Sequence, residues 1–155
     1  MKRIKRQSFL ILSLALLVFA FNQSASGQQK IRYNGPTATV KGTIYIKGVS
    51  GNNVGKLSCE NLRVLMRMEG RDERGTKWTE VRTAQGKGDF SKGKCSYSIT
   101  VFANFDIYPR IGAPAMPCDQ KSLEAYDPQV VLSVKPEQTF TFNFSIKKVT
   151  CTVLK

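Results

Sequence analysis

The chain has 155 residues, with 24 Lys+Arg against 11 Asp+Glu and no His, for a formal charge of +13. Without histidine there is no Ser-His-Asp or Cys-His catalysis, no His-ligated metal and no imidazole pH switch. The length suits a single domain, and a mean hydropathy of -0.24 describes a globular chain, neither disordered nor a bundle of membrane helices.

Lys2, Arg3, Lys5 and Arg6 precede an apolar run from Phe9 to Phe21. Spanning roughly 30 Å of hydrocarbon takes about 20 helical residues, and this run is shorter. Ala25 and Gly27 then supply small residues at the spacing of a signal-peptidase site, so residues 1–27 are expected to be a cleaved signal peptide. An uncleaved anchor is the alternative, and no Cys follows the run to carry a lipid. The expected product is exported, periplasmic or secreted, with no integral span after cleavage. It keeps 128 residues and a net charge of +9. Residues 28–94 hold 14 basic and 6 acidic side chains, so the positive charge belongs to the first half of the mature domain.

Residues 28–36 are polar, end in Asn34-Gly35-Pro36 and read as a flexible leader before a single domain over 37–155. Residues 37–47 alternate, with Val40, Ile44 and Ile46 on the face of Gly42 and Lys41, Thr43, Tyr45 and Lys47 on the other: a half-buried strand. The Gly- and Asn-rich stretch 48–56 is a loop. Over 61–68, Leu62, Val64, Met66 and Met68 point one way and Arg63, Leu65 and Arg67 the other. A charged turn at 69–77 leads to a strand at 78–84, and a Gly/Lys loop at 85–94 leads to one at 95–103 with Cys95, Tyr97, Ile99 and Val101 on one face.

Pro109, Pro114, Pro117 and Pro128 mark residues 104–128 as an irregular connection, with room for one helical turn at 122–126. Residues 130–134 form a short strand. In 139–147, Phe140, Phe142, Phe144 and Ile146 alternate with polar residues; then the phase flips to Val149, Cys151 and Val153. One extra residue at Lys147-Lys148, a β-bulge, accounts for that flip. About seven strands without a long helix predict an all-β fold, an antiparallel β-sandwich of immunoglobulin-like or prealbumin-like type, with a barrel as the alternative.

Cys59, Cys95, Cys118 and Cys151 all lie in the mature part. In an exported chain an even number of cysteines predicts disulfides. Three connectivities are possible, and nearness in sequence favours Cys59–Cys95 with Cys118–Cys151. No C-x-x-C knuckle supports a zinc site, and no metal or other cofactor is expected.

The run Val40-Lys41-Gly42-Thr43-Ile44, the strand Leu62-Arg63-Val64-Leu65-Met66, the turn Gly88-Asp89-Phe90 with Gly93, and Tyr97-Ser98-Ile99-Thr100-Val101 together resemble the prealbumin-like sandwich of carboxypeptidase regulatory domains and transthyretin-like modules. The likeness covers residues 38–102. It implies a non-catalytic domain serving in folding, surface display or ligand contact, and it implies no site residues.

No P-loop, dinucleotide fingerprint, EF-hand or zinc motif is present, and Gly86-Lys87-Gly88 reads as a hairpin loop. No spacing of carboxylates singles out a catalytic pair, so no catalytic residues are assigned. Basic residues are the best functional lead. Arg63 and Arg67 stand on one strand face, and with Arg82 and Lys87 they are the candidate anion-binding residues. The expected partner is an anionic polysaccharide or the envelope surface. Nucleic acid is disfavoured, because Trp78 is the one aromatic among these cations. The expectation is a non-catalytic binding or structural module. An adhesin- or fibre-type subunit pairing by an edge strand is the second reading, and a carboxylate-dependent hydrolase is the third.

Overall fold

The computed structural model describes residues 34–125 and 130–154, so the expected signal peptide and residues 28–33 of the leader lie outside the described residues. The chain is mostly strand: β1 (Thr37–Ile46), β2 (Val49–Ser50), β3 (Arg63–Arg71), β4 (Lys77–Gln85), β5 (Lys94–Phe102), β6 (Asp106–Gly112), β7 (Gln120–Ala125), β8 (Thr139–Thr141) and β9 (Phe144–Thr152). Its helical residues are three single 3-10 turns. No helix among the described residues is long and apolar enough to cross a membrane. The fold is all-β, with nine strands among the described residues where the periodicity predicts about seven.

The strands form two sheets. In the larger, the order is β2-β9-β1-β5, with β7 also on β9 and β8 also on β1. β1 pairs antiparallel with β5 from Thr37–Phe102 to Tyr45–Lys94, but β8 and β9 lie parallel to β1, so this sheet is mixed rather than purely antiparallel. The smaller sheet is antiparallel throughout, in the order β4-β3-β6. Val64, Met66 and Met68 of β3 belong to one buried cluster with Val40, Ile44, Ile99, Val101, Phe144 and Ile146 of the larger sheet. The backbone N–H of Phe102 also points at Met68 Sδ, 3.2 Å away.

Several irregularities follow from particular residues. The run expected to be continuous over 139–147 is broken at Phe142 and Asn143. There the Phe142 carbonyl turns in against Gly42, where any Cβ would overlap it. It accepts a hydrogen bond from the Tyr97 hydroxyl at 2.6 Å. Thr43 N–H, which has lost its strand partner, donates instead to Asn143 Oδ1 at 2.8 Å. The β-bulge at Lys147-Lys148 is present: successive β7 residues Glu124 and Ala125 face Lys148 and Ile146, so the register steps over one residue there. Burial accordingly shifts from Phe144 and Ile146 to Val149 and Cys151.

The segment 104–128 is not a structureless connection, because it contains the whole of β6 and of β7. Pro109 is tolerated inside β6 because β6 is an outer strand of its sheet. Ile107 exchanges hydrogen bonds with Leu132 on the side away from β3, so the missing N–H of Pro109, two residues on, falls on that same side. The helical turn expected at 122–126 is extended chain through Ala125, where it pairs with β9. The strand expected at 130–134 is reduced to the single bridge between Leu132 and Ile107.

Both disulfides form as sequence proximity favours, Cys59–Cys95 and Cys118–Cys151, and no free cysteine remains. The first joins the turn preceding β3 to β5; the second joins the approach to β7 to β9. Such bonds point to an oxidising compartment.

Candidate anion-binding face

In an antiparallel ladder, directly opposed residues share a face. The β3–β4 register runs from Arg63–Gln85 to Arg71–Lys77, so odd-numbered residues pair with odd-numbered residues. The β3–β6 register sets Arg63 opposite Gly112, Leu65 opposite Arg110, Arg67 opposite Tyr108 and Glu69 opposite Asp106. Hydrophobic Val64, Met66 and Met68 hold one face of β3 in the core, and the register turns the other face of all three strands outward.

That outer face gathers Arg63, Arg67 and Arg71 from β3, Lys77 from β4 and Arg110 from β6, against the two acids Glu69 and Asp106. Along β3 the arginines recur every four residues, about 13 Å apart at the rise of an extended strand. The Arg67 guanidinium lies 5.0 Å from the centre of the Tyr108 ring and 3.2 Å from Glu69 in an exposed ion pair. An exposed pair of this kind contributes little to stability. Leu65 lies beside Gly112, with its Cδ1 3.8 Å from where a Cβ would sit there. Arg63 Nε is buried without a hydrogen-bond partner at the margin of this face. At the Arg71–Lys77 end, a shallow cleft of about 440 Å³ is lined by Glu69, Gly70, Arg71, Lys77, Trp78 and Thr79.

Two of the four expected residues are therefore together, and two stand elsewhere. Arg82 pairs with Met66, not with Arg67, and so lies on the core side of β4. Its Nε is 2.9 Å from Glu80 Oε1, and its guanidinium lies 4.3 Å from the centre of the Phe102 ring. From there Nη1 reaches the Thr100 carbonyl of β5 at 3.4 Å. Arg82 links β4 to β5 and does not belong to the basic face. Lys87 is exposed but lies past the end of β4, where its backbone exchanges two 2.8 Å hydrogen bonds with Ser96 of β5.

Arg71, Lys77 and Arg110 are the members that sequence reasoning left out. The four-residue step from Arg63 through Arg67 was the available signal for Arg71, while Lys77 and Arg110 needed the strand register.

Elsewhere, the turn Gly88-Asp89-Phe90 is fixed by Asp89, whose side chain accepts from Ser91 N at 3.0 Å. The hydrogen bonds from Ser91 hold its carboxyl below the ordinary carboxylate range. Burial pushes the Tyr97 hydroxyl above the usual phenol range, so it is a neutral donor to the Phe142 carbonyl. No cluster of three or more metal-ligating side chains occurs among the described residues.

No family model matches the chain, and no curated protein or solved structure matches it either.

Proposed function

We propose that the protein is an exported, periplasmic or secreted, non-catalytic binding module that holds anionic polymers on the outer face of its three-stranded sheet. The assembly of Arg63, Arg67, Arg71, Lys77 and Arg110 on one exposed face carries this reading. Strands pinned by a core make this a rigid array, so little conformational freedom beyond that of the cationic side chains is lost on binding. Spacing of about 13 Å along β3 exceeds the screening length of roughly 8 Å at physiological salt. The cations therefore act through separate contacts, and a chain with charges repeated along its length engages them better than a single anion. The Tyr108–Leu65 surface between them suits the apolar faces of sugar rings in an acidic polysaccharide. The fold reading belongs to the same proposal: the shared core supports two layers of a prealbumin-like sandwich, with the larger layer mixed.

Heparin serves as the probe. The oxidised protein should be retained on it at low salt and released as salt rises. Replacing Arg63 and Arg67 together by Gln should move elution to clearly lower salt. Replacing Lys135 and Lys148, two exposed cations outside this face, should move it far less. Elution of the wild type that is indifferent to salt, or equal shifts for the two double variants, would overturn the assignment.

A further inference from the structure

The second feature of the small sheet is its outer strand. β4 ends the order β4-β3-β6, and no strand pairs with its other side among the described residues. The phase of its hydrogen bonds follows from Gly86 N–H, which donates to Leu62 O at 3.0 Å in the continuation of the β3–β4 register. Even-numbered residues of β4 therefore turn their backbone groups to β3. Thr79, Val81 and Thr83 turn theirs outward, as a row of donors and acceptors that no strand pairs among the described residues.

We infer that this edge pairs with the same edge of a second copy, antiparallel about a two-fold axis at Val81. The sequence around Val81 reads Thr79-Glu80-Val81-Arg82-Thr83, with threonines at matching distances on both sides and opposite charges flanking the centre, so it is complementary to itself when reversed. Antiparallel pairing centred there sets Val81 against Val81, Thr79 against Thr83 and Glu80 against Arg82, each twice over. Val81 is 50% exposed on the outer face and is covered by its own counterpart. Its N–H and C=O already point outward, which makes the central pair a hydrogen-bonded one.

The charges select the occupant. Glu80 and Arg82 lie on the core side of an edge strand, paired to each other at 2.9 Å. Charged residues turned inward on an edge resist an unrelated strand, which leaves them facing apolar or like-charged neighbours. A second β4 is different, because it brings arginine to each glutamate and glutamate to each arginine, so four charges alternate across the junction. Because the contact uses the same patch on both copies, it closes as a pair and does not propagate into a fibre. One strand pair buries less than the roughly 1,000 Å² of a stable interface, so the association is weak and depends on concentration.

Sedimentation of the oxidised protein over a wide concentration range tests this, with a readout independent of polyanion binding. The mass should rise from one copy towards two. Val81→Lys sets like charges face to face at the axis on an exposed side chain, and should weaken association by about tenfold or more while leaving unfolding unchanged. Glu80→Arg and Arg82→Glu should each fail to self-associate, yet pair with each other when mixed, since every arginine then meets a glutamate. A wild type that stays monomeric throughout overturns the inference. So does a Val81→Lys variant that associates as the wild type does. If Arg82→Glu fails to fold for want of its Phe102 contact, Val81→Lys alone decides.

Discussion

The two sheets treat their polar groups in opposite ways. In the larger sheet the irregular points are sealed from within. Gly42 admits the Phe142 carbonyl, Tyr97 donates to it, and Asn143 replaces a missing strand partner. Both disulfides end on that sheet, at Cys95 of β5 and Cys151 of β9. In the smaller sheet, the strands carry no disulfide and the outer face carries five cations with one edge unpaired. The first sheet spends its polar groups on its own integrity; the second presents them to solvent. Substitutions should therefore act mainly on stability in one sheet and mainly on binding in the other.

The contrast breaks most sharply at Gly42. Its neighbour is backbone, held by the Tyr97 hydroxyl and by Phe142 N–H donating to the Lys41 carbonyl at 2.9 Å. A methyl group there has nowhere to go without parting β1 from the β8–β9 segment. Gly42→Ala should cost about 4 kcal/mol or more, above the usual range for overpacking because no side chain can swing aside. A urea unfolding midpoint within a few tenths molar of the wild type would show that the two strands part cheaply, and the larger sheet would lose its claim to be the sealed one.

The reason Gly42 could not be placed in this role from sequence is the same reason Arg82 was misplaced. Period-two alternation fixes which residues of one strand share a face, and it placed Val64, Met66 and Met68 in the core correctly. The phase flip at Lys147-Lys148 was likewise visible, because a bulge alters the pattern within one strand. Relations between strands are another matter. Whether Arg82 joins Arg67 depends on the length of the β3–β4 turn, and a slip of one residue moves every side chain of β4 to the other face. That turn is set by Asp72, whose Oδ1 accepts from Arg74 N and Thr76 N, and by Gly75 at φ +78. Pro109 misled for a related reason: proline excludes a central strand, but not an outer one whose N–H side faces away.

The two disulfides offer the next largest effect and a finer comparison. Their bridges close segments of similar length, 36 and 33 residues, so loop entropy assigns each about 3–4 kcal/mol. Their places differ. Cys118–Cys151 ties the approach to β7 onto β9, joining two parts of the larger sheet's own strand connections, whereas Cys59–Cys95 ties the approach to β3 onto β5. Replacing either pair by alanine should lower the unfolding free energy by similar amounts. Only loss of Cys59–Cys95 should also raise amide exchange in β3 and β4, as the smaller sheet gains freedom to open on its own. Equal exchange in the two variants would mean that the sheets unfold as one unit and that the core, not the staple, couples them.

Gly70 is the counterpart of Gly42 in the smaller sheet and should give the smallest change. It pairs directly with Trp78. The indole lies over it, with Cε2 2.6 Å and Phe105 Cε1 2.8 Å from the position a Cβ would occupy. Here the neighbours are side chains: Trp78 meets Phe105 edge-on at 4.8 Å and Phe102 at 6.2 Å. Rings at the margin of a core can tilt where a backbone carbonyl cannot, so Gly70→Ala should cost about 1–2 kcal/mol. Trp78 is the sole tryptophan, and its emission reports the displacement directly. The expected result is a shifted fluorescence maximum with a small loss of stability, against a large loss for Gly42→Ala. The Gly70 cleft adjoins Arg71 and Lys77, so the same variant should alter heparin elution only slightly, since it moves the ring and leaves the cations where the register puts them.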